Sequence, residues 1–239
     1  MIVYPENWEK IGTPITAADV GERLIEVLKE MDCNCLSFSG GVDSSLLLYH
    51  MCQIFDKVKV FTMGSSKAHP DVVFAKSVIE HYGKRFDARI WHWIYCPAKG
   101  DLEESISPNN YLTDAMVRAF YEFVAQHTDK IIAGDVIDEY TCGYYAHMTN
   151  PTEEVYYDHI RRLQKNHLIP LNENSGGVKV YLPYADEKII AMLSQIPLKD
   201  KVDFRNRKKI TIEMARGKVP DEVILRRKYG FCDALVIKK

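Results

Sequence analysis

Along the first 135 residues the apolar positions switch repeatedly between the spacing of a helix and the continuous runs of a buried strand. Thr16 precedes a segment in which Val20, Leu24, Val27 and Leu28 share one face, so a capped amphipathic helix is predicted there. Asn34-Cys35-Leu36-Ser37-Phe38 reads as a buried strand, and Leu46-Leu47-Leu48 lies in the helix that follows it. Val58 to Gly64 predicts a second strand, and Pro70 to Tyr82 a helix that Gly83 ends. Ala88 to Ile94 predicts a third strand, Pro97 to Tyr111 a loop, and Thr113 the cap of a helix running towards His127. Lys130 to Asp135 completes the series as a fourth strand. Four alternations of strand and helix predict an α/β fold, a parallel sheet wrapped by helices, with ligands at the carboxyl ends of the strands.

Beyond Tyr145 the pattern changes. Thr152 to His167 is a polar amphipathic helix, Gly176-Gly177 a turn, and Asp186 to Lys228 a series of helices broken near Pro197 and Pro220. The expected organisation is an α/β core over residues 1–145 and a mostly helical C-terminal part over residues 146–239, packed across the ligand edge and completing the active site.

Composition narrows the partners. With 239 residues, 46% of them hydrophobic, the chain can bury the core of one α/β unit plus an appendage. A net charge of −2 and a pI near 6.5 give no general attraction to nucleic acid or anionic membranes. No apolar run approaches the roughly 18 residues of a membrane span, and Met1 to Lys10 carry no signal-peptide pattern, so a cytoplasmic protein is expected. Six cysteines occur without a Cys-x-x-Cys pair; Cys33 and Cys35 fit buried strand thiols better than metal ligands.

The chemistry concentrates in Ser39-Gly40-Gly41-Val42-Asp43-Ser44-Ser45, between a strand and a helix. Two glycines let backbone N–H groups approach an anion, the helix N-terminus adds partial positive charge, and three hydroxyls can donate. The spacing is not the Walker pattern, because no lysine closes the loop. It resembles the pyrophosphate loop of the ATP pyrophosphatases, which split ATP between its α and β phosphates. Such chemistry calls for Mg²⁺, held by one or two carboxylates together with phosphate oxygens. Asp43 supplies one, and Gly134-Asp135-Val136-Ile137-Asp138-Glu139 offers three more; the plainer alternative there is an acidic loop capping a helix.

Further motifs extend the likeness: Phe61-Thr62-Met63-Gly64 with Asp71 and Ala75, Gly134 with Asp138-Glu139 and Gly143-Tyr144, Leu182-Pro183 with Asp186, and Pro220 to Phe231. Over roughly residues 20 to 232 the chain resembles the synthetase domain of the asparagine synthetase family, which includes β-lactam and carbapenam synthetases. The resemblance implies an adenine nucleotide alpha hydrolase-like, PP-loop fold and an AMP-forming carbon–nitrogen ligase that adenylates a carboxylate and transfers it to ammonia or an amine. It implies that Ser39, Gly40, Gly41, Asp43, Ser44 and Ser45 grip pyrophosphate and that Asp43 and Asp138 ligate Mg²⁺. Phe38, Met63 and Gly134 would lie near the adenosine of ATP, and Lys228 would steady charge at the reacting centre, unless it is simply a solvated helix-end lysine.

Asp135 stands where asparagine synthetases carry a glutamate base and β-lactam synthetase a tyrosine, and is one methylene shorter than the glutamate. The chain opens Met1-Ile2-Val3-Tyr4 without the family's glutaminase, so nitrogen is expected from ammonia, an amine or a separate glutaminase. Aspartate is the default carboxylate. A tRNA- or nucleobase-modifying relative would be expected to show a zinc cluster, a thiol pair or a basic domain. A silent ATP-binding module would not need Asp43, Asp138 and Lys228 together.

Overall fold

The computed structural model describes residues 14–97 and 112–226. Among these, helix α1 (Ala17–Met31) is fixed at its start by a capping box, in which Thr16 accepts from the Asp19 N–H and Asp19 accepts from the Thr16 N–H. The chain then alternates β1 (Cys35–Ser37), α2 (Val42–Ile54), β2 (Lys57–Met63), α3 (Pro70–Phe86), β3 (Arg89–Tyr95), α4 (Leu112–Ala125) and β4 (Lys130–Ile132). Short helices α5 (Ile137–Tyr140) and α6 (Tyr145–Thr149) precede α7 (Glu153–Leu163), a π-helical turn (Gln164–Leu168) and α8 (Ile169–Asn174). After β5 (Lys179–Tyr181) come α9 (Glu187–Gln195), α10 (Leu198–Lys201), α11 (Lys209–Ala215) and α12 (Asp221–Ile224).

The five strands form one parallel sheet in the order β3-β2-β1-β4-β5. Leu36 sits opposite Val60 on one side and Ile132 on the other, so β1 and β4 are neighbours and their carboxyl ends share one edge. The expected α/β architecture is therefore present, with three local differences. Helix α3 runs through Gly83 to Phe86, because Asp87 takes the left-handed conformation that stops it and the Phe86 ring packs on Tyr49 and Tyr82. A fifth strand follows the Gly176-Gly177 turn. The helix predicted to reach His167 widens into a π turn, where the Ile169 N–H donates to the Gln164 carbonyl just before Pro170, which has no N–H to offer.

Contacts divide the chain into two compact units. One holds the whole sheet with α2, α3, α4, α8 and α12; its core includes Leu36, Leu46, Leu47, Val60, Phe61 and Ile131, all with no exposed surface. The other is helical and discontinuous, made of α1, α5 to α7 and α9 to α11, with α1 packed on α9 and α11 around Leu24, Leu28, Ile189 and Leu193. No described helix is long and apolar enough to cross a membrane.

Candidate active site

In the sheet unit, β1 delivers the chain to Phe38, whose N–H donates to the Phe61 carbonyl at 2.8 Å. Its own carbonyl accepts from Thr62 Oγ1 at 2.7 Å, and His92 Nε2 lies 2.8 Å from the same hydroxyl. The strand end is thereby fixed before the chain turns through Gly40, at φ +65°. A Cβ at Gly40 would stand 2.5 Å from the Ala75 nitrogen and 2.8 Å from the Phe74 carbonyl carbon, so glycine is required for the loop to lie on the α3 backbone.

Gly41 is the N-cap of α2 and has no side chain with which to cap it. Its N–H donates to Ser39 Oγ at 3.3 Å; Ser44 Oγ donates to the Gly41 carbonyl and lies 3.2 Å from Ser39 Oγ. Asp43 is in the first helical turn, and the buried Ser45 Oγ has no hydrogen-bond partner among the described residues. A helix N-terminus without a side-chain cap, ringed by hydroxyls and carrying an unsatisfied buried donor, suits a phosphate. Phe38 and Met63, expected near adenosine, belong to this unit and are buried.

Arg226, just past α12, binds the loop from outside. Its Nη1 donates to the carbonyls of Ser39 and Gly40 at 3.3 and 3.0 Å, its Nη2 pairs with Asp71, and the guanidinium lies 4.7 Å over the Phe74 ring. A cavity of about 550 Å³ in the same unit lies at the opposite edge, where β2 and β3 begin, lined by Lys57, Asp87 and Arg89 among others.

The helical unit carries the acidic segment. Val136, a buried β-branched residue, holds φ +82°, strain of about 1–3 kcal/mol that clusters at functional positions. Beside it, Asp135 Oδ1 lies 2.5 Å from His167 Nε2. Asp138 Oδ1 pairs with the buried Lys208 Nζ at 2.5 Å. Gly143 makes that pair achievable, since a Cβ there would collide with the Asp138 carboxyl and the Lys208 Cε. Glu139 accepts from the Tyr144 hydroxyl at 2.7 Å; burial raises its pKa, and the Asp138 charge adds to the shift. The Tyr144 ring stacks on His159 at 5.0 Å, and His159 lies 4.2 Å from His147.

Other marked residues have structural work. Asp186 caps α9 and takes a two-point contact from Arg23 at 3.1 and 2.9 Å. Trp93 stacks on Phe61, Trp91 is half exposed, and Arg207 lies over the exposed Tyr145 ring. Cys33 and Cys35 are buried in the sheet unit, Cys35 Sγ lying 3.5 Å from Thr128 Oγ1. Lys228 lies outside the described residues.

The structure thus groups Ser39 to Ser45 with Phe38 and Met63 in the sheet unit, and Gly134, Asp135 and Asp138 in the helical unit. Sequence reasoning passed over Arg226, His167 and Lys208. Arg226 had a signal, as the first of three cations following a Pro-initiated helix; the other two are joined to their carboxylates only by folding. Among the described residues no three His, Cys, Asp or Glu side chains converge to hold a metal ion. Asp43, in the sheet unit, and Asp138, in the helical unit, each carry a carboxylate, the kind of hard oxygen donor that Mg²⁺ accepts.

A parallel sheet whose central strand ends in an uncapped, hydroxyl-lined helix N-terminus is an arrangement that nucleotide-binding α/β folds use. The asparagine synthase family model matches residues 33–171 and, overlapping them, 149–237, and the chain belongs to that family of ATP-dependent, amide-forming ligases, which use ATP, generally with Mg²⁺. No individual curated protein matches the chain.

Proposed function

We propose that this protein adenylates a substrate carboxylate, releases pyrophosphate, and passes the acyl group to ammonia or another amine to give an amide. The observation that carries this reading is the Ser39–Ser45 turn, with Gly40 pressed on α3 and the N-terminus of α2 left without a side-chain cap. The carboxylate oxygen attacks the α phosphorus, and the P–O bond to the β phosphate breaks. Ser39, Ser44, Ser45 and the backbone of Gly40 and Gly41 receive the departing pyrophosphate, stabilising charge in a preorganised site. The metal role falls to Asp43 and Asp138, and the bound Mg²⁺ supplies charge neutralisation on the leaving group. Phe38, Met63 and Gly134 flank the adenosine, while Lys228 offsets charge at the acyl centre. The amine then attacks the acyl carbon and AMP leaves. Such a ligase works in the cytoplasm on a small carboxylic acid, aspartate by default, with ammonia free or delivered by a separate glutaminase.

The test is pyrophosphate release from ATP and Mg²⁺ in the presence of a panel of carboxylic acids that includes L-aspartate. Ammonium or glutamine is added in parallel to identify the nitrogen source. Acid-dependent release, abolished in Asp43→Asn, is expected. ATP binding without release for every acid would overturn the ligase assignment.

A further inference from the structure

We propose that the cavity where β2 and β3 begin is a second binding site, for a zwitterionic small molecule of the α-amino acid class. It lies in the sheet unit, at the edge opposite the Ser39–Ser45 turn, and is independent of the adenylation reading.

The sequence repeats one short pattern at two helix-to-strand connections. Phe55-Asp56-Lys57 leads from α2 into β2, and Phe86-Asp87-Ala88-Arg89 leads from α3 into β3, each giving a ring, a carboxylate and a cation in that order. Folding sets the two patterns side by side, with the Arg89 N–H donating to the Asp56 carbonyl at 3.2 Å. All of these residues line one cavity of about 550 Å³, a size common among small-molecule sites. Lys57 is the direct cross-strand partner of Arg89 in the parallel ladder, so two cations stand next to each other. Among the described residues, no ion pair or side-chain hydrogen bond joins Asp56 or Asp87 to either of them. Four charges, two of each sign, thus face one cavity without neutralising one another.

That arrangement selects the ligand's chemistry. Like charges on neighbouring strands repel, and a bound carboxylate would relieve the Lys57–Arg89 pair. An ammonium would do the same for the carboxylates of Asp56 and Asp87. It would also meet the end of α3, which no Asp87 N–H closes, whereas the Phe55 N–H closes α2 on the Met51 carbonyl at 2.8 Å. Carbonyls at a helix C-terminus favour a cation. A simple anion would satisfy the cations and be repelled by the carboxylates, and a metal cation would do the reverse. An α-amino acid carries both charges close together and gains a charge-assisted hydrogen bond at each end. Phe55 and Phe86, both partly buried, offer their rings to its side chain, and the four charged residues are exposed, so the cavity is reached directly from solvent.

Isothermal titration calorimetry without ATP tests the site, with the standard L-α-amino acids as probes, one at a time. At least one is expected to bind with a Kd of about 1 mM or tighter. Its amine and α-hydroxy acid analogues, each lacking one of the two charges, should bind about tenfold more weakly or worse. Arg89→Gln and Asp87→Asn should each weaken binding of the amino acid about tenfold or more, by removing one charged contact. Position 89 is exposed, and asparagine accepts the left-handed backbone at position 87, φ +50°, so both variants keep the fold. Without ligand, Arg89→Gln should melt no lower than wild type, because the repulsion with Lys57 is gone; added amino acid should raise the wild-type melting temperature more than that of either variant. No binding by any amino acid at about 10 mM, unchanged binding in either variant, or equal binding of the amine or the hydroxy acid would overturn the site. A lower melting temperature for ligand-free Arg89→Gln would overturn the unrelieved repulsion on which it rests. Binding of inorganic phosphate in place of the amino acids would overturn it as well, leaving an anion site made by the two cations alone.

Discussion

Arg226 and Asp71 form an ion pair in which each side chain is only 7% exposed, and the same guanidinium holds the carbonyls of Ser39 and Gly40. One planar fork therefore ties α3 and the Ser39–Ser45 turn to the chain beyond α12. Lysine cannot reproduce several fixed donors at once. Arg226→Lys should raise the KM for ATP about tenfold or more in the pyrophosphate-release assay. Arg226→Leu, which strands the Asp71 charge, should also lower stability by about 3–5 kcal/mol in denaturant unfolding. An unchanged KM in Arg226→Lys would make the contact incidental.

Gly40→Ala tests the turn itself. The added Cβ would meet the Ala75 nitrogen at 2.5 Å, and the φ of +65° disfavours any L side chain by about 1–2 kcal/mol. The loop must lift off α3. Pyrophosphate release is expected to fall by at least 100-fold while far-UV circular dichroism stays native, and a variant with wild-type turnover would refute the close approach.

Gly143→Ala addresses the acidic segment. Its methyl group would occupy the space shared by Asp138 Oδ1 and Lys208 Cε, driving the pair apart. If Asp138 serves the metal, the Mg²⁺ concentration for half-maximal activity should shift at least fivefold; titration of activity with MgCl₂ reads this, and an unshifted curve separates Asp138 from the metal.

Lys201, in α10, has no exposed surface; its Nζ lies 2.7 Å from the Tyr156 hydroxyl, and burial lowers its pKa to about 7. The unfolded chain, with an ordinary lysine value of about 10.4, binds more protons than the folded chain between about pH 7 and 10.4. Stability due to this group therefore rises with pH across that window, and the desolvation cost is largest below it. Lys201→Met should be more stable than wild type at pH 6.5, the difference shrinking by pH 10; chemical denaturation at both values checks the sign.

How far the sequence carried the structure depends on the range of each signal. The Thr16 cap, the strand and helix flanking the diglycine turn and the parallel α/β order are local patterns, and all are present. The three-residue β5 was passed over because Lys179-Val180-Tyr181 is too short for alternation to register. Gly83 marked a helix end that Asp87 actually makes, since tertiary packing of Phe86 extends the helix past a merely unfavourable residue. Asp135 was legible as a candidate, whereas His167, 32 positions away, ended an apparently ordinary polar helix. Pro170 three residues later was the sole local hint of the π turn.

The central claim is that a carboxylate oxygen attacks the α phosphorus of ATP. A substrate acid identified by the release assay and labelled with ¹⁸O in its carboxyl group, turned over with ATP, Mg²⁺ and ammonium, tests this most directly by mass spectrometry of the nucleotide product. Adenylation places one ¹⁸O atom in AMP and none in pyrophosphate. Label appearing in inorganic phosphate, with ADP as the nucleotide, would show attack at the γ phosphorus and contradict the account.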